Sequence, residues 1–462
     1  MPVKKKQEIE LDITGAAFGG RGIAKVDGFA VFVDGAVPGD MVSARIVKKK
    51  KNYAEARVLE VLKPSLDRIE PPCRYSGWCG GCKWQFLKYE RQLEYKESHV
   101  REAMEHIAGL SGIRIHPVLP CEKIFGYRNK MEFSFSDRRW LLPEELGRPD
   151  ISKDFALGLH VPGTFDKILD IDACLLQPEK GNRILCDVRD LVRSSDLPAY
   201  GLRSHEGFWR FLMLRHSVAE DMWLVNMVTS SENTEALRPV ADFLISAHPD
   251  IAGVVNNITA RKAAVAAGEY EVPVVGSPVL TERLGRFVFE VSANSFFQTN
   301  TGQAEKLYDT VRQYAGLCGH ETVVDLYTGT GTIPIWLSED AGGITGLELV
   351  ESAVADAEKN CRKNGIENCR FIAGDIRKSI SGIEMRPDVM IIDPPRAGMH
   401  KDVVKTVKGM APERIVYVSC NPATLARDVS LLAEDYRVEE IQPVDMFPHT
   451  YHVEAVARLE KK

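Results

Sequence analysis

This chain of 462 residues lacks long apolar runs and an amino-terminal secretory signal, and each absence excludes a class of protein. No run of consecutive apolar residues approaches the ~18 that a membrane-spanning helix needs, so we expect no membrane partner. The lysines near the amino terminus are not followed by the apolar stretch of a secretory signal, which predicts a cytoplasmic protein. In such a compartment the ten cysteines are not expected to form structural disulfides.

A strong excess of positive charge is also missing, because the net charge is −6 at pH 7. The charge is unevenly distributed, however. Residues 1–70 contain 13 Lys and Arg against 10 Asp and Glu, including the runs Lys4–Lys6 and Lys48–Lys51. A lysine run is most often a solvated turn, but a local basic patch can follow a phosphate backbone on a protein that is acidic overall. A nucleic-acid partner therefore stays open.

Three segments differ in their hydrophobic pattern. Residues 7–62 hold five short, alternating apolar stretches separated by glycine-rich and lysine-rich turns, which predicts an OB-like β-barrel over residues 1–66. Residues 67–290 are predicted to form a central, β-rich domain, within which 86–110 reads as an amphipathic helix. The apolar side chains of that helix are Leu87, Leu93, Val100, Met104 and Ile107.

Residues 291–462 alternate apolar strands with amphipathic helices, which is the pattern of an open, doubly wound parallel sheet. Its first strand runs into the glycine-rich turn DLYTGTGT, residues 325–332. This turn lacks the GxGxxG and GK[ST] patterns of nucleotide-binding loops, and resembles the first loop of class I S-adenosylmethionine methyltransferases. Glu348 and Asp375 follow the next two strands, where carboxylates could accept hydrogen bonds from ribose hydroxyls and an adenine amino group.

The segment IIDPPRAG, residues 391–398, places Asp393 at the end of another buried strand, before two prolines that fix a rigid turn. The Asp-Pro-Pro pattern is familiar in methyltransferases that act on planar nitrogen, where an aromatic residue usually comes fourth. Arg396 stands there instead, so that subclass fits poorly.

The segment YVSCNPATLARD, residues 417–428, places Cys420 between a strand and a helix. A lone cysteine is usually structural, but a thiol beside a helix amino terminus is expected to have a lowered pKa. Carbon 5 of uracil is too weak a nucleophile to attack a methyl sulfonium, whereas a thiolate that adds to carbon 6 creates an enolate that is reactive at carbon 5. Downstream, Glu454 could accept the proton from carbon 5, and His452 could orient it or merely pack.

Three further cysteines, Cys73, Cys79 and Cys82, lie in the segment PPCRYSGWCGGC. They need a fourth ligand for either a tetrahedral zinc or a 4Fe–4S cluster, and Cys174 is a distant candidate. The second C-x2-C of a zinc ribbon is absent, and thiolates alone do not separate iron–sulfur from zinc.

Through these residues and motifs, the chain closely resembles the bacterial RNA uracil-5-methyltransferase family over nearly its whole length. The resemblance implies an RNA-binding TRAM barrel, a 4Fe–4S cluster on Cys73, Cys79, Cys82 and Cys174, and S-adenosylmethionine as cofactor. SCNP and FPHTxHxE match the family's nucleophile and base signatures, hence Cys420 and Glu454. By the same resemblance the cofactor and base pocket is formed by Gln298, from SFFQTN, together with Tyr327, Thr332, Glu348, Asp375 and Asp393.

One departure from the family pattern is Thr328, which fills a slot that is often Cys or Ser. The resemblance favours a monomer that acts on large-subunit ribosomal RNA, with the transfer RNA T-loop as the alternative. A cytosine-5-methyltransferase commonly carries its cysteine after a proline, and a non-catalytic RNA-binding protein would not need both Cys420 and Glu454.

Overall fold

The amino-terminal part of the chain folds as a small β domain. The computed structural model describes residues 2–263, 265–383 and 386–462. Side chains that alternate along the strands fill one apolar core. The six-stranded sheet has the order β1-β5-β6-β4-β3-β2 and comprises β1 (Glu8–Asp12), β2 (Gly15–Ala17), β3 (Arg21–Val26), β4 (Phe29–Asp34), β5 (Met41–Lys49) and β6 (Tyr53–Lys63). Five of these strands coincide with the predicted ones, and β2 is too short to show a pattern.

The helix predicted over residues 86–110 packs on the carboxy-terminal domain and not on the central domain. Helix α1 (Tyr89–Ala103) continues as a π-helical turn (Met104–Ala108) and leads into the short strand β7 (Arg114–Ile115). The apolar side chains Val100 and Met104 are buried in the core of the carboxy-terminal domain. Ile107, predicted on the same buried face, is 49% exposed, because the wider π turn shifts the register of the helix.

The central domain contains a mixed eight-stranded sheet with the order β15-β14-β13-β12-β8-β10-β11-β9. Two helices, α2 (Glu179–Arg193) and α3 (Thr234–Ala247), bury their apolar faces in its core. A separate hairpin follows, formed by β16 (Val279–Leu284) and β17 (Phe287–Ser292). The strands of the large sheet are β8 (Lys130–Ser136), β9 (Arg139–Trp140), β10 (Ala156–His160), β11 (Ile168–Asp170), β12 (Trp209–Ser217), β13 (Met222–Thr229), β14 (Ile251–Ile258) and β15 (Tyr270–Gly276).

The carboxy-terminal domain is the doubly wound α/β sheet that the strand–helix alternation predicts. Its order is β20-β19-β18-β21-β22-β24-β23-β7, so the two-residue β7 completes its edge from far upstream. The remaining strands are β18 (Thr322–Leu326), β19 (Gly343–Glu348), β20 (Cys369–Ala373), β21 (Val389–Ile392), β22 (Arg414–Ser419), β23 (Tyr436–Val444) and β24 (Glu454–Lys461). The helices are α4 (Thr301–Ala315), α5 (Thr332–Leu337), α6 (Glu351–Lys363), α7 (Ile376–Ser379), α8 (Lys401–Met410) and α9 (Pro422–Leu432).

The predicted α/β fold class is confirmed: a Rossmann-like domain follows an amino-terminal six-stranded β domain and a β-rich central domain. Strands β18 to β22 are mutually parallel, so their carboxyl ends share one edge and define a crevice beside β18 and β21. Among the described residues, no helix combines the length and apolar character needed to cross a bilayer.

Candidate active site

The glycine-rich turn after β18 adopts a left-handed backbone at three positions. The φ angles are 67° at Tyr327, 56° at Gly329 and 76° at Gly331. A side chain at Gly331 would place its Cβ 2.9 Å from the Cβ of Ala357 on α6, so only glycine fits there. The left-handed tyrosine is an uncommon conformation that clusters at ligand-binding sites. The turn thus brings bare backbone to the crevice.

Glu348 ends β19 and closes this turn. One carboxylate oxygen accepts a hydrogen bond from the N–H of Gly329 and the other from the N–H of Val350, both at 3.0 Å. The carboxylate is therefore fixed at the crevice, with lone pairs left to accept further hydrogen bonds.

Asp375, at the end of the next strand, caps the short helix α7. Its carboxylate accepts a hydrogen bond from the backbone N–H of Arg377 and pairs with the guanidinium of the same residue. This pairing, opposed by a small desolvation, lowers the pKa of Asp375 to about 2. An ionised acceptor is thus held at the rim of the crevice.

These groups border one large cavity of about 950 Å³, which is at the upper end of the range for small-molecule sites. Of the predicted cofactor residues, Tyr327, Glu348 and Asp375 line it. Sequence patterns did not single out several other lining residues, because each lies beside a motif or on a neighbouring element and carries no signature of its own. They include Asn294, Phe296, Leu349, Val350, Asp356 and His400.

The other three predicted cofactor residues do not line this cavity. Thr332 lies at the start of α5, where its hydroxyl is 3.0 Å from the hydroxyl of Tyr308. Gln298 is half-buried, and its backbone carbonyl accepts a hydrogen bond from the side chain of Asn129. Asp393 belongs instead to the group of acids around Cys420.

Replacing Glu348 with alanine should raise the dissociation constant for S-adenosylmethionine about tenfold or more. The change removes a charged acceptor and also frees the N–H groups of Gly329 and Val350. Titration calorimetry measures the effect. Glu351→Ala is the matched control, since this exposed glutamate three residues away does not line the cavity. Equal affinities of the two variants would remove Glu348 from the site.

Cys420 follows β22 directly and is half-buried at the same sheet edge. The next residue, Asn421, is the N-cap of α9, and its side chain accepts a hydrogen bond from the N–H of Ala423 at 3.1 Å. The strand–cap–helix sequence therefore fixes the position of the thiol.

The expected lowering of the thiol pKa is wrong for the ligand-free protein. Burial raises the pKa of Cys420 to about 11, and the negative charges of Glu454 and Asp393 add to the increase. The guanidinium of Arg396 acts in the opposite direction but is weaker. The short-range effect of the helix amino terminus on the thiol pKa is outweighed, because two acids from other strands, Glu454 and Asp393, act on the same thiol. No local sequence motif reveals that these acids lie together.

Glu454 opens β24 and is buried. Burial, followed by the charge of Asp393, raises its pKa to about 8, while Arg396 lowers it. Burial also raises the pKa of Asp393 to about 7. Three weakly acidic groups therefore share one desolvated corner of the crevice, and the two carboxyl groups, Glu454 and Asp393, have pKa values close to neutral pH.

Alkylation of Cys420 in the free protein should accelerate about tenfold per pH unit from pH 7 to 9, because the thiolate fraction rises tenfold per unit below a pKa of about 11. The rates are measured by iodoacetamide labelling and peptide mass spectrometry, with the exposed Cys318 as internal reference. Glu454→Gln should speed the labelling above pH 8, since it removes a charge that raises the thiol pKa. A rate for Cys420 that does not change with pH would contradict this account.

The four predicted metal-ligand cysteines come together around a second cavity, of about 290 Å³, at the junction of the 73–82 loop with the central sheet. The thiols of Cys79 and Cys82 accept hydrogen bonds from the N–H of Gly81 at 3.3 Å and the side-chain amide of Gln85 at 3.2 Å. Burial, reinforced by the neighbouring thiols, raises the pKa of both to about 12. Among the described residues, no three His, Cys, Asp or Glu side chains are close enough together to hold a metal ion.

Comparison with known proteins adds two family matches. A family model described as tRNA (Uracil-5-)-methyltransferase matches residues 278–462, and a TRAM domain model matches residues 2–59. An uncharacterized RNA methyltransferase of Chlorobaculum tepidum is 45% identical, over 99% of this chain and 97% of that protein. A second, from Bacteroides thetaiotaomicron, is 42% identical over 96% of this chain and 99% of its own length.

One solved structure resembles the whole chain. It is the tRNA (uracil-54, C5)-methyltransferase of Pyrococcus abyssi in complex with S-adenosyl-L-homocysteine. The TM-score is 0.76 at 29% sequence identity, and the match covers 98% of this chain and 100% of that one.

Proposed function

Because this chain belongs to the RNA uracil-5-methyltransferase family, we propose that it methylates carbon 5 of one uridine in RNA through a covalent adduct with Cys420. The observation that supports this mechanism is the group formed by Cys420, Glu454 and Asp393 at the carboxyl edge of the sheet. Nucleophilic attack requires a thiol that can form a thiolate, and proton removal from carbon 5 requires a carboxylate that is more basic than usual, as the raised pKa of Glu454 makes it.

The first step begins when the Cys420 thiol releases its proton to solvent. The thiolate then attacks carbon 6 of a uridine that has left its base stack, since carbon 6 is out of reach within a stack. The new S–C6 bond moves the electrons of the C5–C6 double bond toward carbon 5 and the carbonyl oxygen at carbon 4. Arg396, whose charge lowers the pKa of the thiol, stabilises the thiolate. When bound, S-adenosylmethionine supplies the electrophilic methyl group for carbon 5.

The second step removes the proton that carbon 5 still carries. Glu454 accepts it as a carboxylate, the C5–C6 double bond forms again, and the S–C6 bond breaks to release the thiolate. A pKa of about 8 suits Glu454 to this role, because a carboxylate with a raised pKa is a stronger base than an ordinary one. Desolvation and the neighbouring Asp393 supply that shift.

Two RNA classes are candidates. The family resemblance favours large-subunit ribosomal RNA, while the Pyrococcus abyssi enzyme, whose name specifies tRNA uracil-54, favours the transfer RNA T-loop as a second candidate. We would transcribe large-subunit fragments and tRNAs with uridine tritiated at carbon 5, then count tritium released to water with S-adenosylmethionine present. Release from one RNA class identifies the substrate, and no release from either overturns the uridine assignment for both.

We further propose that Cys73, Cys79, Cys82 and Cys174 hold a 4Fe–4S cluster with a structural role. A single zinc ion needs ligands that converge on one point, whereas a cluster needs thiolates around a volume, as these four are. The N–H donors to two of the sulfurs are the hydrogen bonds that stabilise cluster thiolates. The four ligands leave no coordination position for chemistry.

Anaerobically purified protein should contain about four iron atoms per chain and show thiolate-to-iron charge-transfer absorption in the visible range. Cys82→Ser should lose most of the iron. Cys186→Ser is the matched control, because its thiol lies nearby, within hydrogen-bond distance of the Asp172 carbonyl, but does not line the cavity. Stoichiometric zinc without iron would overturn the cluster assignment and leave the methylation proposal untouched.

A further inference from the structure

Helix α1 has a buried face that is polar. The side chains of Gln92 and Lys96, one helical turn apart, are 0% exposed. Burying an amide or an ammonium group without partners is strongly unfavourable. Their contacts therefore indicate what the helix is built to hold.

Those contacts lead to the nine residues that join β23 to β24, which we call the base loop (445–453) because Glu454 follows it directly. Lys96 Nζ donates to Asp445 Oδ1 at 2.5 Å and to the carbonyl of Phe447 at 3.0 Å. Tyr89, also on α1, donates its hydroxyl to Asp445 Oδ2 at 2.8 Å. The ion pair is fully buried, and every one of these partners is in the base loop.

Gln92 holds the middle of the same loop. Its Oε1 accepts the backbone N–H of His449 at 2.8 Å, while its Nε2 donates to the carbonyls of Trp84 at 3.0 Å and Leu87 at 2.8 Å. His449 has a left-handed φ of 66°, an uncommon conformation outside glycine that surrounding contacts must maintain. Its carbonyl in turn accepts the N–H groups of Lys83 and Trp84.

The position of the loop determines the position of Glu454. Val444 and Glu454 are directly opposite each other in the antiparallel pair of β23 and β24, so the base loop is the connection of that hairpin. Cys420, by contrast, comes from β22 and from a different turn. Displacing the loop would therefore move the base relative to the nucleophile.

We propose that Lys96 and Gln92 are positioning residues that hold Glu454 at the proton of carbon 5. This inference rests on the proposed role of Glu454 as base. It assigns a part in the reaction to α1, which lies outside both family matches, 2–59 and 278–462. The connecting helix thus completes a site that neither matched domain contains by itself.

Loosening the base loop should slow proton removal more than methyl transfer, since only proton removal needs Glu454 as the proton acceptor. A misplacement of about 1 Å can cost up to ~100-fold in rate. We would measure single turnovers with radiolabelled S-adenosylmethionine and RNA tritiated at carbon 5, following methyl incorporation and tritium release separately. Gln92→Leu and Lys96→Met should slow tritium release about tenfold or more, with a smaller change in methyl incorporation and accumulation of the covalent RNA–protein adduct.

Lys96→Met leaves Asp445 buried without its partner and could fail to fold. The double variant Lys96→Met/Asp445→Asn removes both charges but still lacks the hydrogen bond to Phe447. Gln92→Leu keeps the Lys96–Asp445 ion pair and therefore leaves no buried charge without its partner. His99→Leu is the matched control on the same helix. His99 is buried too, but its Nε2 is 3.0 Å from the carbonyl of Ala16 in the barrel and makes no contact with the base loop among its hydrogen bonds.

Methyl incorporation and tritium release that slow in equal proportion, or that both stay at the wild-type rate, in folded Gln92→Leu and double-variant proteins would overturn the positioning role. Adduct accumulation in His99→Leu would do so as well, because it would reflect general loosening of α1. Glu454→Gln is assayed in parallel. If it accumulates adduct while the α1 variants turn over normally, this inference fails alone; if it turns over normally itself, the proposed function of Glu454 fails.

Discussion

Replacement of Cys420 with alanine is expected to reduce methyl transfer by about 10⁴-fold or more, because carbon 5 of an unactivated uracil does not attack a methyl sulfonium. Tritium release from carbon 5 should vanish together with methylation. The affinity for S-adenosylmethionine should change little, since Cys420 does not line the cofactor cavity. RNA that contains 5-fluorouridine, whose fluorine cannot leave as a proton does, should become covalently attached to the wild-type protein and not to the variant.

Cys361→Ala is a suitable control, because it removes another buried thiol of the same domain at a distance from the catalytic group. Retained methylation in Cys420→Ala, with the target confirmed by mass spectrometry of the RNA, would contradict covalent catalysis. Loss of methylation in both variants would indicate damage to the domain and would call for the cofactor-binding measurement to separate the two explanations.

Glu454→Gln should block the reaction at a later point, with overall turnover reduced by about 10²–10⁴-fold. The thiolate still forms in this variant, and more readily, since the charge of Glu454 raises the pKa of Cys420. The methyl group is then transferred, but the proton at carbon 5 stays because no carboxylate can take it. The RNA should therefore remain bound to Cys420 through carbon 6, with its methyl group already in place.

Denaturing gel electrophoresis with labelled cofactor detects that species as a radioactive RNA–protein band. Opposite results are expected for the two variants, since Cys420→Ala should give no RNA–protein band and Glu454→Gln a strong one. Free methylated RNA released by Glu454→Gln at the wild-type rate would assign the proton acceptor elsewhere. Asp393 would then be the first alternative, because its pKa is raised to about 7 in the same corner.

The parts of the fold that local patterns control could be predicted from the sequence. Strand–helix alternation after residue 291 indicates a parallel sheet, and in such a sheet all loops after strands meet at one edge. Glu348 and Asp375 could therefore be assigned to the crevice without knowing a single tertiary contact. The same reasoning predicted that Cys420 and Asp393 lie at that edge of the sheet.

Properties that depend on packing could not be predicted. The amphipathic pattern of 86–110 indicated a helix, but it did not reveal that α1 packs on the methyltransferase sheet or that its most buried side chains include Gln92 and Lys96. The predicted lowering of the Cys420 pKa was wrong for a related reason. It depends on Glu454 and Asp393, which belong to strands that only the finished sheet brings together.

The buried ion pair between Lys96 and Asp445 also sets an order of events during synthesis. Its two members are 349 positions apart in the chain, so at usual elongation rates Asp445 is made roughly 20 to 70 s after Lys96. During that interval the barrel has all of its strands, whereas α1 lacks the surface that buries it. The buried face of α1 combines the polar Gln92 and Lys96 with the apolar Val100, so exposing it to water costs less than exposing a wholly apolar face would. Docking of α1 is thus expected to be a late folding step, and the base loop becomes fixed only after Asp445 has been synthesised.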